Sequence, residues 1–246
     1  MEAGKISAGL LAGIGGALAL LGFINGETAY LNLGLASLIL SAVVFTFKSS
    51  SYVKKESMDL LIKSQRNLAG SLLNGLALEG KTLYIPPYEN LPGGGVFIPL
   101  REDFEIDPAR LDENSAFITD VPDEREMGLL LPTLGKELVE KYEEYLEGPL
   151  TSVPEVESVA GSVLKALGMA KRVYIEEDGK EITVIITPNF ECSPNNCERF
   201  PCPVCASILR GIAKASGEII AVESFKKIGF GVEIRAKKMG RVEEWM

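Results

Sequence analysis

Two long apolar runs stand near the start of the chain. ISAGLLAGIGGALALLGFI covers 6–24 and YLNLGLASLILSAVVFTF covers 30–47, and neither contains a charge. At 1.5 Å per residue, each helix is long enough to cross a hydrocarbon core of about 30 Å. Only the polar turn NGETA separates them, so the pattern predicts a transmembrane hairpin. A cleaved signal peptide would account for the first run but leave the second unexplained. Two buried helices of a soluble core would be unusual at this length without a charge. Small residues recur four apart, at Gly9 and Gly13, Gly22 and Gly26, and Ser37 and Ser41. That spacing lets helix backbones approach closely within the hairpin, with dimerisation through the same face as the alternative. No ionisable residue interrupts either span, which argues against a proton relay or transport path through them. Lys48, Lys54, Lys55, Lys63 and Arg66 follow the second run, whereas the interhelical turn carries only Glu27. The excess of basic residues places both termini and the main domain on the cytoplasmic side.

Beyond the hairpin the pattern becomes amphipathic. Met58, Leu61, Leu68, Leu72 and Leu76 predict a helix over 52–78 that docks by that face. Short strands are expected in KTLYIP, GGVFIPLR and AFITDV. A charged helix over 133–147 follows, ended by Gly148-Pro149. Ser152 and Glu155 have capping-box spacing, and Val156, Val159, Ala160, Val163, Leu164 and Leu167 then make one apolar face. Asp178-Gly179 turns a hairpin. After a cysteine-rich loop, PVCASILRGIAKAS begins a helix with Pro203 and closes it with Gly217, and EIIAVESF and GVEIRAKK form a second hairpin. The expected class is α+β. The transmembrane hairpin takes 1–50 and an amphipathic connector 51–80. A strand- and loop-rich region takes 81–150, and an α-β-β-α-β-β unit takes 151–240.

Composition narrows the chemistry. Hydrophobic residues make up 46% and charged residues 24% of 246, which fits apolar residues gathered into an anchor. Histidine is absent, which removes Ser-His-Asp and Cys-His nucleophile systems and every histidine metal ligand. The net charge is −9. With one lysine and two glutamates, residues 1–47 contribute −1, leaving −8 for the rest. So acidic a soluble part argues against nucleic acid as the main partner. Glutamine occurs once, at Gln65, against many Lys and Glu, a composition that points toward a hyperthermophile. GLALEGKT at 75–82 matches the phosphate-loop pattern, but a helix precedes it and Pro86-Pro87 bar one after it. The strand-loop-helix order that such a loop needs is reversed. The many carboxylates show no pairing that would make a general acid and base, and read as a solvated face.

All four cysteines lie within CSPNNCERFPCPVC, at Cys192, Cys197, Cys202 and Cys205. In a reducing cytoplasm, clustered cysteines point to a metal, and four thiolates suit tetrahedral zinc or an iron–sulfur cluster. Two disulfides in a structural or assembly protein are the second reading, with Cys192 and Cys197 bridging locally around a Pro-Asn-Asn turn. The third is a thiol–disulfide oxidoreductase using Cys202 and Cys205, because a thiol at a helix N-terminus has a lowered pKa. Cys202-Pro203-Val204-Cys205 resembles the glutaredoxin active-site motif. Cys205 also falls on the apolar face of its helix with Ile208, Leu209 and Ile212, as a plain core residue would.

Residues 202–234 resemble the end of the four-vinyl-reductase-type ligand-binding domain. The matching positions are Cys202-Pro203 at a helix start, Gly211 within the helix and Gly217 after it. Val222 with Glu223 in a strand and Gly229 in a hairpin complete them. The resemblance implies a small hydrophobic or tetrapyrrole-like ligand and a sensor or accessory role. Two cysteines of that family's final hairpin have no counterpart here; Phe225 and Gly231 stand near their places. The chain as a whole resembles uncharacterised archaeal membrane-anchored proteins. The expected function is a membrane-anchored, cytoplasm-facing binding or sensor module whose four-cysteine loop holds zinc or an iron–sulfur cluster. Its expected partners are the membrane, a small ligand, and a second copy or another membrane protein.

Overall fold

The computed structural model describes residues 2–46, 55–192 and 197–246. Lys48 and Lys54 of the basic flank lie outside the described residues, and so does the Pro-Asn-Asn turn of the cysteine loop. The chain divides into two compact units, Met1–Val53 and Lys54–Met246.

The first unit is a pair of helices, α1 (Glu2–Asn25) and α2 (Thr28–Thr46), reversed at Gly26, whose φ of 69° suits glycine. Both are long and apolar enough to cross a membrane. Their close approach runs through Gly15, Gly22 and Gly34. A Cβ at Gly34 would strike the Ala19 backbone, and one at Gly22 the Leu31 backbone. Ser37 Oγ donates to the Leu11 carbonyl at 3.1 Å and Ser41 Oγ to the Ala8 carbonyl at 2.8 Å. Gly9, Gly13 and Gly26 meet nothing within 4 Å, which corrects their expected place in the seam. Spacing selects a face of a helix, but the line along which the axes run selects the residues that touch. Phe23 and Ile39 point outward, 78% and 67% exposed.

The second unit is built on one eight-stranded sheet in the order β3-β4-β2-β1-β7-β8-β6-β5. The strands are β1 (Leu83–Ile85), β2 (Gly95–Pro99), β3 (Phe117–Ile118), β4 (Gly128–Leu131), β5 (Ala170–Asp178), β6 (Glu181–Pro188), β7 (Glu218–Ile228) and β8 (Gly231–Arg241). Every pairing is antiparallel. The helices are α3 (Lys55–Gly75), α4 (Lys136–Leu146), α5 (Val153–Ala166) and α6 (Pro203–Ser216), so the architecture is α+β as the pattern predicts. β4 is the strand the pattern missed, because GLLL is buried without alternation and reads equally as helix. β1 joins the two halves of the sheet by pairing Leu83 with Ala221 and Tyr84 with Ile220 of β7.

Alternation along the central strands feeds two cores. Tyr84, Val96 and Ile220 enter the core under α4, α5 and α6, while Leu83, Ile85, Phe97 and Ile219 enter the opposite one with Ile106 and Leu111. The outer strands β5, β6 and β8 bury one face only, through Val173, Ile182, Val184 and Ile234.

Two successive α-β-β units run from α5 to β6 and from α6 to β8. At an offset of 49 residues Pro154 matches Pro203, Val156 matches Cys205, Val163 matches Ile212, and Gly168 matches Gly217. The expected capping box is absent: the Ser152 side chain makes no cap bond. Glu155 instead accepts from the Thr151 N–H at 2.9 Å and from its hydroxyl at 2.8 Å. The docked face of α3 is also corrected. Ile62, Ala69 and Leu73 are buried, whereas Leu61 and Leu68 are 65% and 60% exposed. The helix carries two apolar stripes, and periodicity alone does not say which one docks. At the phosphate-loop lookalike, Lys81 Nζ donates to the Glu223 carbonyl at 2.7 Å and β1 follows directly.

Candidate functional site

The cysteine loop connects β6 to α6, which places its end at a helix N-terminus. Cys202 is the N-cap of α6, in extended conformation (φ −71°, ψ 158°), with Pro203 starting the helix. Its carbonyl accepts from the Ala206 N–H at 2.9 Å. Its side chain makes no cap hydrogen bond, but the backbone N–H groups of Val204 and Cys205 at the helix start favour its thiolate form. Cys205, one turn on, points into the core that its apolar periodicity predicts.

The four thiols fall into two hydrogen-bonded pairs. Cys197 donates to Cys192, and Cys205 donates to Cys202. The hydrogen bond from Cys205 pulls the Cys202 thiol down to about 7 against the opposing effect of burial; the two N–H groups and Arg66 add to the pull. Cys192 is lowered by the bond from Cys197, again against burial. Cys197 and Cys205 are raised, first because each donates its proton to a partner sulfur and then by burial. Cys197, Cys202 and Cys205 are buried and Cys192 is half-buried. No disulfide joins them, so the local Cys192–Cys197 bridge is replaced by a hydrogen bond. Among the described residues no three Cys, Asp or Glu side chains already stand as a metal-holding group.

Two other elements close the site. α3 lies over the loop: Asp59 Oδ1 accepts from the Glu191 N–H at 2.8 Å, and Arg66 Nη2 donates to the Glu191 carbonyl at 3.1 Å. Ile62, Arg66, Phe190 and Phe200 share a small cavity of about 20 Å³ with Cys192, Cys197 and Cys202. That is room for about one water-sized occupant. β1 forms the other wall through Tyr84. Its side chain is fully buried, and its hydroxyl has no hydrogen-bond partner among the described residues. Burial first, and then Cys205, Cys202 and Cys197, raise the Tyr84 pKa well above the phenol range. The loop is tied to the sheet as well, since Glu198 accepts from the Thr82 N–H through its carbonyl at 2.9 Å and from the Phe225 N–H through its carboxylate at 3.2 Å.

All four residues singled out from the sequence therefore meet at one place. Asp59, Arg66 and Tyr84 were missed. Nothing local marks them, because they come from a helix and a strand more than a hundred residues upstream. Cys202 is 8% exposed and lines the small cavity with Phe200 and α3 residues.

A family model described as Domain of unknown function (DUF7982) matches residues 4–230. No curated protein and no solved structure matches the chain.

Proposed function

The chain belongs to the DUF7982 family, and on that premise we propose that it is a membrane-tethered, cytoplasm-facing binding module whose four cysteines hold a single metal ion. The observation that carries this reading is the gathering of the four thiols in one core with Tyr84, whose buried hydroxyl has no partner among the described residues. Leaving a buried donor unsatisfied costs on the order of 1–3 kcal/mol. A Tyr84 hydroxyl donating to a metal-held thiolate would remove that cost. Outer hydrogen bonds of this kind orient ligands and tune metal sites.

Ligand chemistry supports zinc or iron in a tetrathiolate site, because no histidine is present and Cys, the softer ligand, is concentrated here. The cavity of about 20 Å³ accommodates one ion more readily than a multi-iron cluster. Arg66 stands near Cys192, Cys197 and Cys202, and its positive charge would partly offset the negative charge of four thiolates around a divalent ion. When bound, the ion would supply a cross-link between the β6 end and the α6 start; Cys202 and Cys205 already sit in a helix-start turn that presents both sulfurs. With no histidine and no acid–base pairing evident in the sequence, and with three of the four thiols buried, a binding or sensing role is favoured over catalysis.

The test is to purify the full chain in detergent without oxygen and to measure zinc, iron, visible absorption and free thiols on one sample. About one ion per chain is expected, and four thiols should become reactive only after chelation. A metal-free chain whose thiols react at once, or one whose thiols are all bridged, overturns the reading.

A further inference from the structure

The registers of the outer strands define one end of the sheet. Ala170 pairs with Pro188, Ile186 with Val232, and Ile228 with Gly231. The start of β5, the end of β6 and the β7–β8 turn therefore lie together. Asn189 Nδ2 donates to the Gly168 carbonyl at 2.9 Å, so the end of α5 is here too. Asp59 and Arg66, both bonded to Glu191, fix the first half of α3 at the same end.

This end is unlike the rest of an acidic domain. Phe230, at the tip of the β7–β8 turn, is 97% exposed. Leu60, Leu61 and Leu167 are exposed as well. Around them stand the exposed lysines Lys63, Lys165, Lys171, Lys226 and Lys227. The acids at this end include Glu56, Asp59, Glu191 and Glu233; Asp59 already accepts the Glu191 N–H, and Glu233, across from Lys226, pairs with Arg235. The chain also enters the unit here, since Lys55 begins α3 nine residues after Thr46 ends the second apolar helix.

We propose that this end of the domain docks on the anionic lipid surface of the membrane that the hairpin enters, and the proposal rests on reading the hairpin as that anchor. Phe230, Leu60 and Leu61 enter the headgroup region, and the lysines lie over the phosphates. Apolar side chains ringed by lysine are the combination that holds a peripheral surface at a bilayer. The chain's −9 charge sharpens the orientation, because an anionic surface repels the acidic remainder and attracts this end. A protein partner of acidic character would use the lysines too, and the test separates the two.

The chain has one tryptophan, Trp245, which follows the end of β8 at the opposite end of the sheet. The wild-type full chain and an F230W/W245F variant are placed in nanodiscs with and without anionic lipid, each carrying brominated lipid. The expected result is strong quenching and a blue shift for F230W/W245F in anionic discs, little quenching for the wild type, and loss of the effect with K226E/K227E. Three results overturn the proposal. One is an F230W indole open to aqueous quencher and untouched by bromolipid. The second is equal quenching of both proteins. The third is quenching indifferent to K226E/K227E. A chain that fails to enter nanodiscs at all overturns the anchor reading itself, and the docking with it.

Discussion

The two α-β-β units of the second domain have matching order and matching helix starts, yet their helices meet very different surroundings. α5 begins at the surface, where Glu155 takes the Thr151 N–H and hydroxyl. α6 begins inside, with Cys202 as its cap and Cys205 where α5 has Val156. α5 buries one stripe, whereas α6 is buried continuously from Val204 to Ala213. The contrast is sharpest where Gly161 of α5 matches Arg210 of α6. Gly161 has open space around it. Arg210 is 3% exposed, and its guanidinium donates to the carbonyls of Gly93, Gly94, Pro132 and Leu134. One helix is a cover for the sheet; the other is a hub that ties the turn before β2, the turn before α4 and the cysteine loop to the sheet. A repeated fold unit thus acquires its chemistry from where its helix starts and how completely it is enclosed.

Arg210→Met breaks this contrast most severely. Four carbonyls lose their donor at once, so a loss on the order of 3–5 kcal/mol is expected, read as an earlier denaturant midpoint for the sheet. Cys205→Val makes α6 resemble α5 at the Val156 position. A near volume-conserving swap should cost less than about 1.5 kcal/mol in the metal-free chain, while bound metal falls to background in elemental analysis. Tyr84→Phe is expected to lower metal affinity by roughly 10-fold or more in a chelator competition. It should leave the metal-free chain as stable as before or more so, since an unpartnered hydroxyl is removed. An equal loss of stability in both states would mark Tyr84 as packing alone. The smallest effect is Gly161→Ala, which should raise stability by about 0.5–1 kcal/mol. Gly211→Ala should gain less or lose, because its Cβ would lie 3.2 Å from Val156 Cγ1.

Runs of apolar residues, turn residues and helix ends act over short distances, and these were the features readable in the chain. The hairpin helices, the α-β-β-α-β-β order, the Asp178-Gly179 turn and the Gly217 helix end all follow from local chemistry. The rejection of GLALEGKT as a phosphate loop followed from Pro86-Pro87 in the same way. The four cysteines were legible as one cluster because a single loop carries them. What escaped was decided by contacts between distant segments. β4 is a strand because β2 and β3 flank it. Ile62 is buried and Leu61 exposed because of where the cysteine loop meets α3. Gly34, rather than Gly13, lies in the hairpin seam because of where the helix axes run. Asp59, Arg66 and Tyr84 join the cysteines only once a helix and a strand have been packed around the loop. Periodicity records that a side chain wants to be buried, and only the assembled fold settles what it is buried against.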